Sequence, residues 1–163
     1  MRQFINEVLK LGSNMTTVDI NKNEVEQKPM VIKLGSNPAK EQCLAALEEW
    51  EEMTHPHPLD RNSRLTDAAS IDVSYFDGAL HLGHVAALGA PRQGGGGRAV
   101  KMLCDLADKH NVKITLTAKS TSDERMNTAQ LRSWYGRFGF HDEEDSFGDD
   151  HDGWDMIRFP NVN

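Results

Sequence analysis

A chain of 163 residues with 38% apolar and 26% charged residues carries enough apolar side chain for one core without disulfide or metal staples. Its formal charge of −7 argues against a nucleic-acid backbone as main ligand, and no apolar run reaches the ~20 residues of a membrane helix. The two cysteines, Cys43 and Cys104, fall within predicted helices on apolar faces without CxxC spacing, so buried, reduced thiols are expected.

Residues 1–28 read as an extension. Phe4, Ile5, Val8 and Leu11 fall at helical spacing, predicting a short helix over residues 2–11. Asn6 and Glu7 interrupt any signal-peptide core, so a cytoplasmic protein is expected. Residues 29–163 form the predicted domain, opening with a strand over Pro29–Leu34.

Asn37 is a suitable N-cap and Pro38 suits the first helical position, so a helix runs to about Met53. Cys43, Leu44, Leu47 and Trp50 are its apolar stripe, and Pro56 and Pro58 end it. His55 and His57 beside them are expected as exposed loop histidines. Asp77-Gly78 is a hairpin turn pair, predicting that Ile71–Phe76 and Ala79–Leu88 are antiparallel. Val100, Leu103, Leu106 and Ala107 stripe a helix over Arg98–His110, and Val112–Ala118 is the next strand. A helix from Thr128 to about Phe138 stops at Gly139, and Trp154–Phe159 closes the chain as a strand. The expected class is α/β in an α+β layered form: a mixed, mostly antiparallel central sheet flanked by helices.

Gly94, Gly95, Gly96 and Gly97 sit between a strand and a helix, where backbone amides and the helix dipole converge on an anion. Arg92 and Arg98 add full charges. A Walker A loop is excluded because the run ends Gly97-Arg98-Ala99 without lysine and hydroxyl. A dinucleotide fingerprint matches by letter as Gly94-x-Gly96-x-x-Ala99. It lacks the ribose-binding acid, since the next strand ends Thr117-Ala118-Lys119, and too few strands follow for a doubly wound sheet.

The third pattern is Arg92-x-x-Gly95-x-Gly97, followed by Tyr135-x-x-x-Gly139-Phe140 at the end of the later helix. With these two motifs in this order, a strand between them and a closing strand after them, residues 30–160 resemble the GNAT superfamily of N-acetyltransferases. The resemblance implies acetyl-CoA as acyl donor, an amine as acceptor, and no metal. It implies that backbone at Val85 and Ala87 meets the pantetheine arm, and that amides from Gln93 to Arg98 cap the pyrophosphate. It also implies that Tyr135 is the general acid. The family's asparagine before the tyrosine is displaced, with Asn127 and Thr128 standing near its place. Only one hairpin precedes the glycine loop, so the sheet is expected short or irregular by one strand around Arg64–Ala69.

Acetyl transfer also needs a base. His81 alternates in register with Val85 and Ala87, which makes it the candidate; Asp72 and Tyr75 on the neighbouring strand are further ones. His84 is expected on the opposite face, packed in the core. Residues 142–155 hold eight carboxylates and no lysine or arginine. They read either as a solvated loop or as a border favouring a cationic acceptor. Asp149-Asp150-His151-Asp152 matches no EF-hand spacing. The expected function is therefore acetyl transfer to a primary amine of a cationic small molecule or peptide, with no membrane partner and a homodimer allowed. A non-catalytic acyl-CoA-binding module and a small dinucleotide-binding protein are the alternatives.

Overall fold

The computed structural model describes residues 35–90, 93–121, 125–146, 148 and 153–162. Every element below lies in the compact unit Asn37–Asn163. The helix expected over residues 2–11 and the strand expected over Pro29–Leu34 lie outside the described residues.

Helix α1 (Pro38–Met53) starts where the N-cap chemistry places it, with Asn37 Oδ1 accepting the amides of Ala39 at 3.0 Å and Lys40 at 3.3 Å. Its buried row is Cys43, Ala46 and Trp50; Leu44, expected on the stripe, is 44% exposed. The far end is closed by an arginine. Arg64 Nη2 donates to the carbonyls of Glu51 and Thr54, and its Nε donates to Thr54 Oγ1. These bonds satisfy orphan carbonyls and put a cation at the negative end of the helix dipole.

Among the described residues seven strands form one sheet in the order β1-β2-β3-β4-β5-β7-β6. They are β1 (His55–Pro56), β2 (Ser63–Leu65), β3 (Ala69–Phe76), β4 (Ala79–Ala87), β5 (Ile114–Ala118), β6 (His141–Asp142) and β7 (Trp154–Arg158). Only β4 and β5 are parallel. The expected hairpin forms: Asp77 and Gly78 take φ of 46° and 76°, both left-handed, as a two-residue turn between twisted strands requires. The strand expected to be short, irregular or missing is present as β2 and is short, at three residues. The expected fold class holds.

Helix α2 (Gly95–His110) begins three residues earlier than expected, with glycines filling its first turn. Helix α3 (Thr128–Gly136) gives way to a turn ending at Gly139, whose φ is 93°. The core joins Trp50, Ile71, Leu80, Leu82, Val100, Leu103, Ile114, Leu116 and Met156. Buried Arg158 ties β7 to α2 and to the turn that follows α3. It grips Asp108 at 2.7 and 2.9 Å and donates from Nε to the Phe138 carbonyl at 2.8 Å. Both cysteines are free and buried as expected, and burial pushes the Cys104 thiol up to about 11. Neither is a thiolate nucleophile at neutral pH. No helix among the described residues is long and apolar enough to cross a membrane.

Candidate functional site

The parallel pair is where the sheet opens. β4 pairs with β5 only over Leu80–Leu82 and Ile114–Leu116, yet β4 continues to Ala87. From Gly83 onward one edge of β4 therefore faces no strand among the described residues, while the other stays paired with β3. The direction of its backbone groups follows from the register. Leu80 N–H donates to the Lys113 carbonyl on the β5 side, and Leu88 N–H donates to the Ala68 carbonyl on the β3 side. Leu80, Leu82, Val85 and Ala87 oppose Tyr75, Val73, Ile71 and Ala69, every second residue of β3. They share one backbone direction, so Val85 and Ala87 turn N–H and C=O toward the open edge.

A β-bulge makes this register possible. Asp72 pairs with His84 and Val73 with Leu82, leaving Gly83 as the extra residue. The bulge also overturns an expectation. Simple alternation puts His81 on the face of Val85 and Ala87. Across the bulge the faces exchange, so His81, opposite Ser74, shares a face with Asp72 and His84 instead. His84 is accordingly exposed rather than packed in the core. An isolated glycine within a strand pattern is the available sequence signal for such a bulge.

The glycines close the mouth of the opening. Gly94, at φ 74°, is the left-handed N-cap of α2 and needs glycine for its conformation. Gly95 is buried, and a Cβ there would stand 2.4 Å from the Ala68 carbonyl oxygen. Gly96 and Gly97 have ordinary room, a Cβ meeting Val85 Cγ1 and Phe138 Cζ at 3.5 Å. The steric demand therefore falls on Gly94 and Gly95, not on the motif pair Gly95 and Gly97. The first helical bond runs from Arg98 N to Gly94 O, so the amides before Arg98 have no partner within α2. Unpartnered amides at a helix N-terminus have the chemistry of an anion receptor. Arg98 folds back and donates from Nη1 to the Gln93 carbonyl at 2.8 Å, placing its charge on the turn. Arg92 lies outside the described residues.

Helix α3 supplies the third wall. A Cβ on Gly96 would also meet the Trp134 ring at 3.9 Å, so β4, α2 and α3 converge at Val85, Gly96 and Trp134. Half-buried Tyr135 packs edge-on against Trp134 and Phe140, with centroids 4.8 and 5.7 Å away. Asn127 and Thr128 have structural duties. Asn127 caps α3 through a box with Gln130, and the Thr128 hydroxyl accepts from Ser120 N at 3.3 Å. His81 Nδ1 lies 3.2 Å from Thr115 Oγ1, at the level where β4 and β5 are still paired.

Among the described residues no group of acidic, histidine or cysteine side chains could hold a metal ion. Of the acidic run, Asp149, Asp150 and Asp152 lie outside the described residues. Asp142 and Asp155 within it are engaged by Arg132 and by the Thr117 hydroxyl. A groove of about 360 Å³ lies along α1 and α2, lined by Glu49, Met53, Lys101, Met102 and Lys109. None of the proposed site residues except Arg98 borders it.

No family model and no curated protein matches the chain by sequence. Solved structures resemble it in backbone shape. The anti-CRISPR protein AcrVA5 is 21% identical with a TM-score of 0.49, covering 58% of this chain and 94% of its own. An acyl-CoA N-acyltransferase from Pseudomonas aeruginosa is 22% identical with a TM-score of 0.43, covering 59% of this chain and 65% of its own. The ribosomal-protein-S18-alanine N-acetyltransferase from Escherichia coli is 17% identical with a TM-score of 0.45, covering 74% and 89%.

Proposed function

We propose that this chain is an acetyl-CoA-dependent N-acetyltransferase of the cytoplasm, transferring acetyl to a primary amine by direct attack in a ternary complex. One observation carries the reading. The unpaired edge of β4 ends beneath the glycine turn that opens α2, so an extended amide chain and an anion receptor are contiguous. Pantetheine is such a chain, and it adds to Val85 and Ala87 as a strand adds to a sheet edge. The pyrophosphate then falls on the amides of Gln93 to Arg98, with Arg92 and Arg98 supplying charge. The thioester lies deeper, toward Gly83.

Holding thioester and amine together supplies much of the rate. Tyr135 protonates the departing thiolate; a phenol with a reference pKa of about 10 keeps its proton at neutral pH. The base is His81, an ordered water or another group on the sheet face that carries His81.

Calorimetry with acetyl-CoA and a thiol-release assay against polyamines, aminoglycosides and basic peptides test the proposal. Saturable binding at tens of micromolar with release on an amine supports it; absence of binding refutes it. The structural duties of Asn127 and Thr128 favour a second reading, an acyl-CoA-binding module without catalysis. Binding without release on any amine would support that one.

A further inference from the structure

Ser63 on β2, Asp72 on β3 and His84 on β4 are successive cross-strand partners, forming a row on the face that also carries His81. The row ends at the bulge. Gly83 has no side chain, and the Asp72 carboxylate fills the space, for a Cβ there would lie 2.6 Å from Oδ2. Asp72 thereby leans over the first residue of β4 that β5 does not pair, at the deep end of the opening.

No donor serves this carboxylate among the described residues. The Ser63 hydroxyl beside it donates to Asp60 Oδ2 at 2.7 Å. Burial raises the pKa of Asp72, Asp60 pushes the same way, and His81 and His84 oppose them. A half-buried carboxylate without donors is a receptor waiting for a cation.

We propose that Asp72 anchors the acceptor as a primary alkylammonium and takes its first proton, the acceptor entering from the Asp72–His84 face of the sheet. This rests on the N-acetyltransferase reading. In the step, one N–H proton passes to the Asp72 carboxylate and frees the nitrogen lone pair. That pair forms the C–N bond while the carbonyl electrons move to oxygen. Collapse of the tetrahedral intermediate breaks C–S. The thiolate takes the Tyr135 proton, and the phenolate is restored by the second proton leaving nitrogen. Asp72 releases its proton to solvent, so acetyl-CoA and an ammonium give amide, coenzyme A and one proton. A carboxyl pKa moved toward neutrality suits a base better than an ordinary one.

The test is thiol release from acetyl-CoA with spermidine as probe, alongside acetyl-CoA calorimetry. Asp72→Asn is expected to lower turnover by about 100-fold or more with unchanged acetyl-CoA affinity. Its residual rate should climb about tenfold per pH unit toward the amine pKa, because solution must then supply free amine. Asp60, His81 and His84, which face Asp72, are retained. Asp72→Glu restores part of the rate. Gly83→Ala, whose methyl displaces the carboxylate without removing its charge, gives an intermediate loss at unchanged Tm. Wild-type turnover and pH profile in Asp72→Asn overturn the proposal. If the wild-type protein binds acetyl-CoA without acetylating spermidine, carboxyl carbon NMR of the coenzyme A complex decides. A shift of the Asp72 resonance on adding spermidine supports the anchor, and an unmoved one overturns it. Failure of the wild-type protein to bind acetyl-CoA overturns the N-acetyltransferase reading itself, and this proposal with it.

Discussion

Gly95 is held by steric contact, as Gly94 is by its left-handed φ. An alanine Cβ would stand 2.4 Å from the Ala68 carbonyl oxygen and 3.3 Å from its carbon. Favourable heavy-atom contacts lie at about 3.5 Å or beyond, so α2 or the start of β3 must give by about 1 Å. The carbonyl has little freedom, because it also accepts Leu88 N–H at 2.9 Å to close the β3–β4 ladder. With a backbone oxygen at 2.4 Å the overpacking cost lies in the upper part of its usual range, about 2–3 kcal/mol, against a helix-propensity gain of about 1 kcal/mol for alanine. The expected net loss corresponds to a fall in Tm of roughly 2–8 °C in thermal denaturation. Displacing the first turn also turns amides away from the anion, and one lost charge-assisted bond weakens acetyl-CoA about tenfold or more in calorimetry. Gly96→Ala is the control: its Cβ meets Val85 at an ordinary 3.5 Å, so stability should hold or rise by up to about 1 kcal/mol. A Gly95→Ala protein with wild-type Tm would refute the reasoning.

Tyr135→Phe should lower turnover in thiol release while leaving acetyl-CoA affinity nearly unchanged; equal loss of both would assign Tyr135 to packing. Arg158 holds the Asp108 carboxyl below the ordinary carboxylate range through its hydrogen bonds. That pair therefore contributes stability above the unfolded carboxyl pKa of about 3.9, lost as pH falls through the lower folded value. Arg158→Met should cost about 3 kcal/mol near neutral pH and flatten that acid limb in chemical denaturation series; an unchanged limb would mean that Asp108 is not the titrating group.

Local chemistry made much of the fold legible. Asn37-Pro38 marked the start of α1, Asp77-Gly78 the hairpin, and Gly139 the end of the turn after α3, because caps and left-handed turns demand particular residues. The short strands β1, β2 and β6 were not legible. Two or three residues carry no hydrophobic period, and cross-strand bonds create these strands. The start of α2 was misplaced because glycine is a poor helix former, and here packing against Ala68 and Val85 overrides propensity. At the candidate site, Val85, Ala87, the glycines and Tyr135 were singled out by motif. The face of His81 was not legible because alternation assumes an unbroken strand, and Gly83 breaks it. Asp72 was legible only as one of several base candidates, because the lean of its carboxylate over Gly83 depends on the bulge.

The open edge of β4 with its glycine cap is the centre of the account, and it is read most directly by amide NMR. Titrating isotopically labelled protein with acetyl-CoA should shift the amides of Val85, Ala87 and Gly95–Gly97 together and saturably, with the amides of β1 and β6 unmoved. No saturable shift, or shifts confined to the groove along α1 and α2, would contradict it.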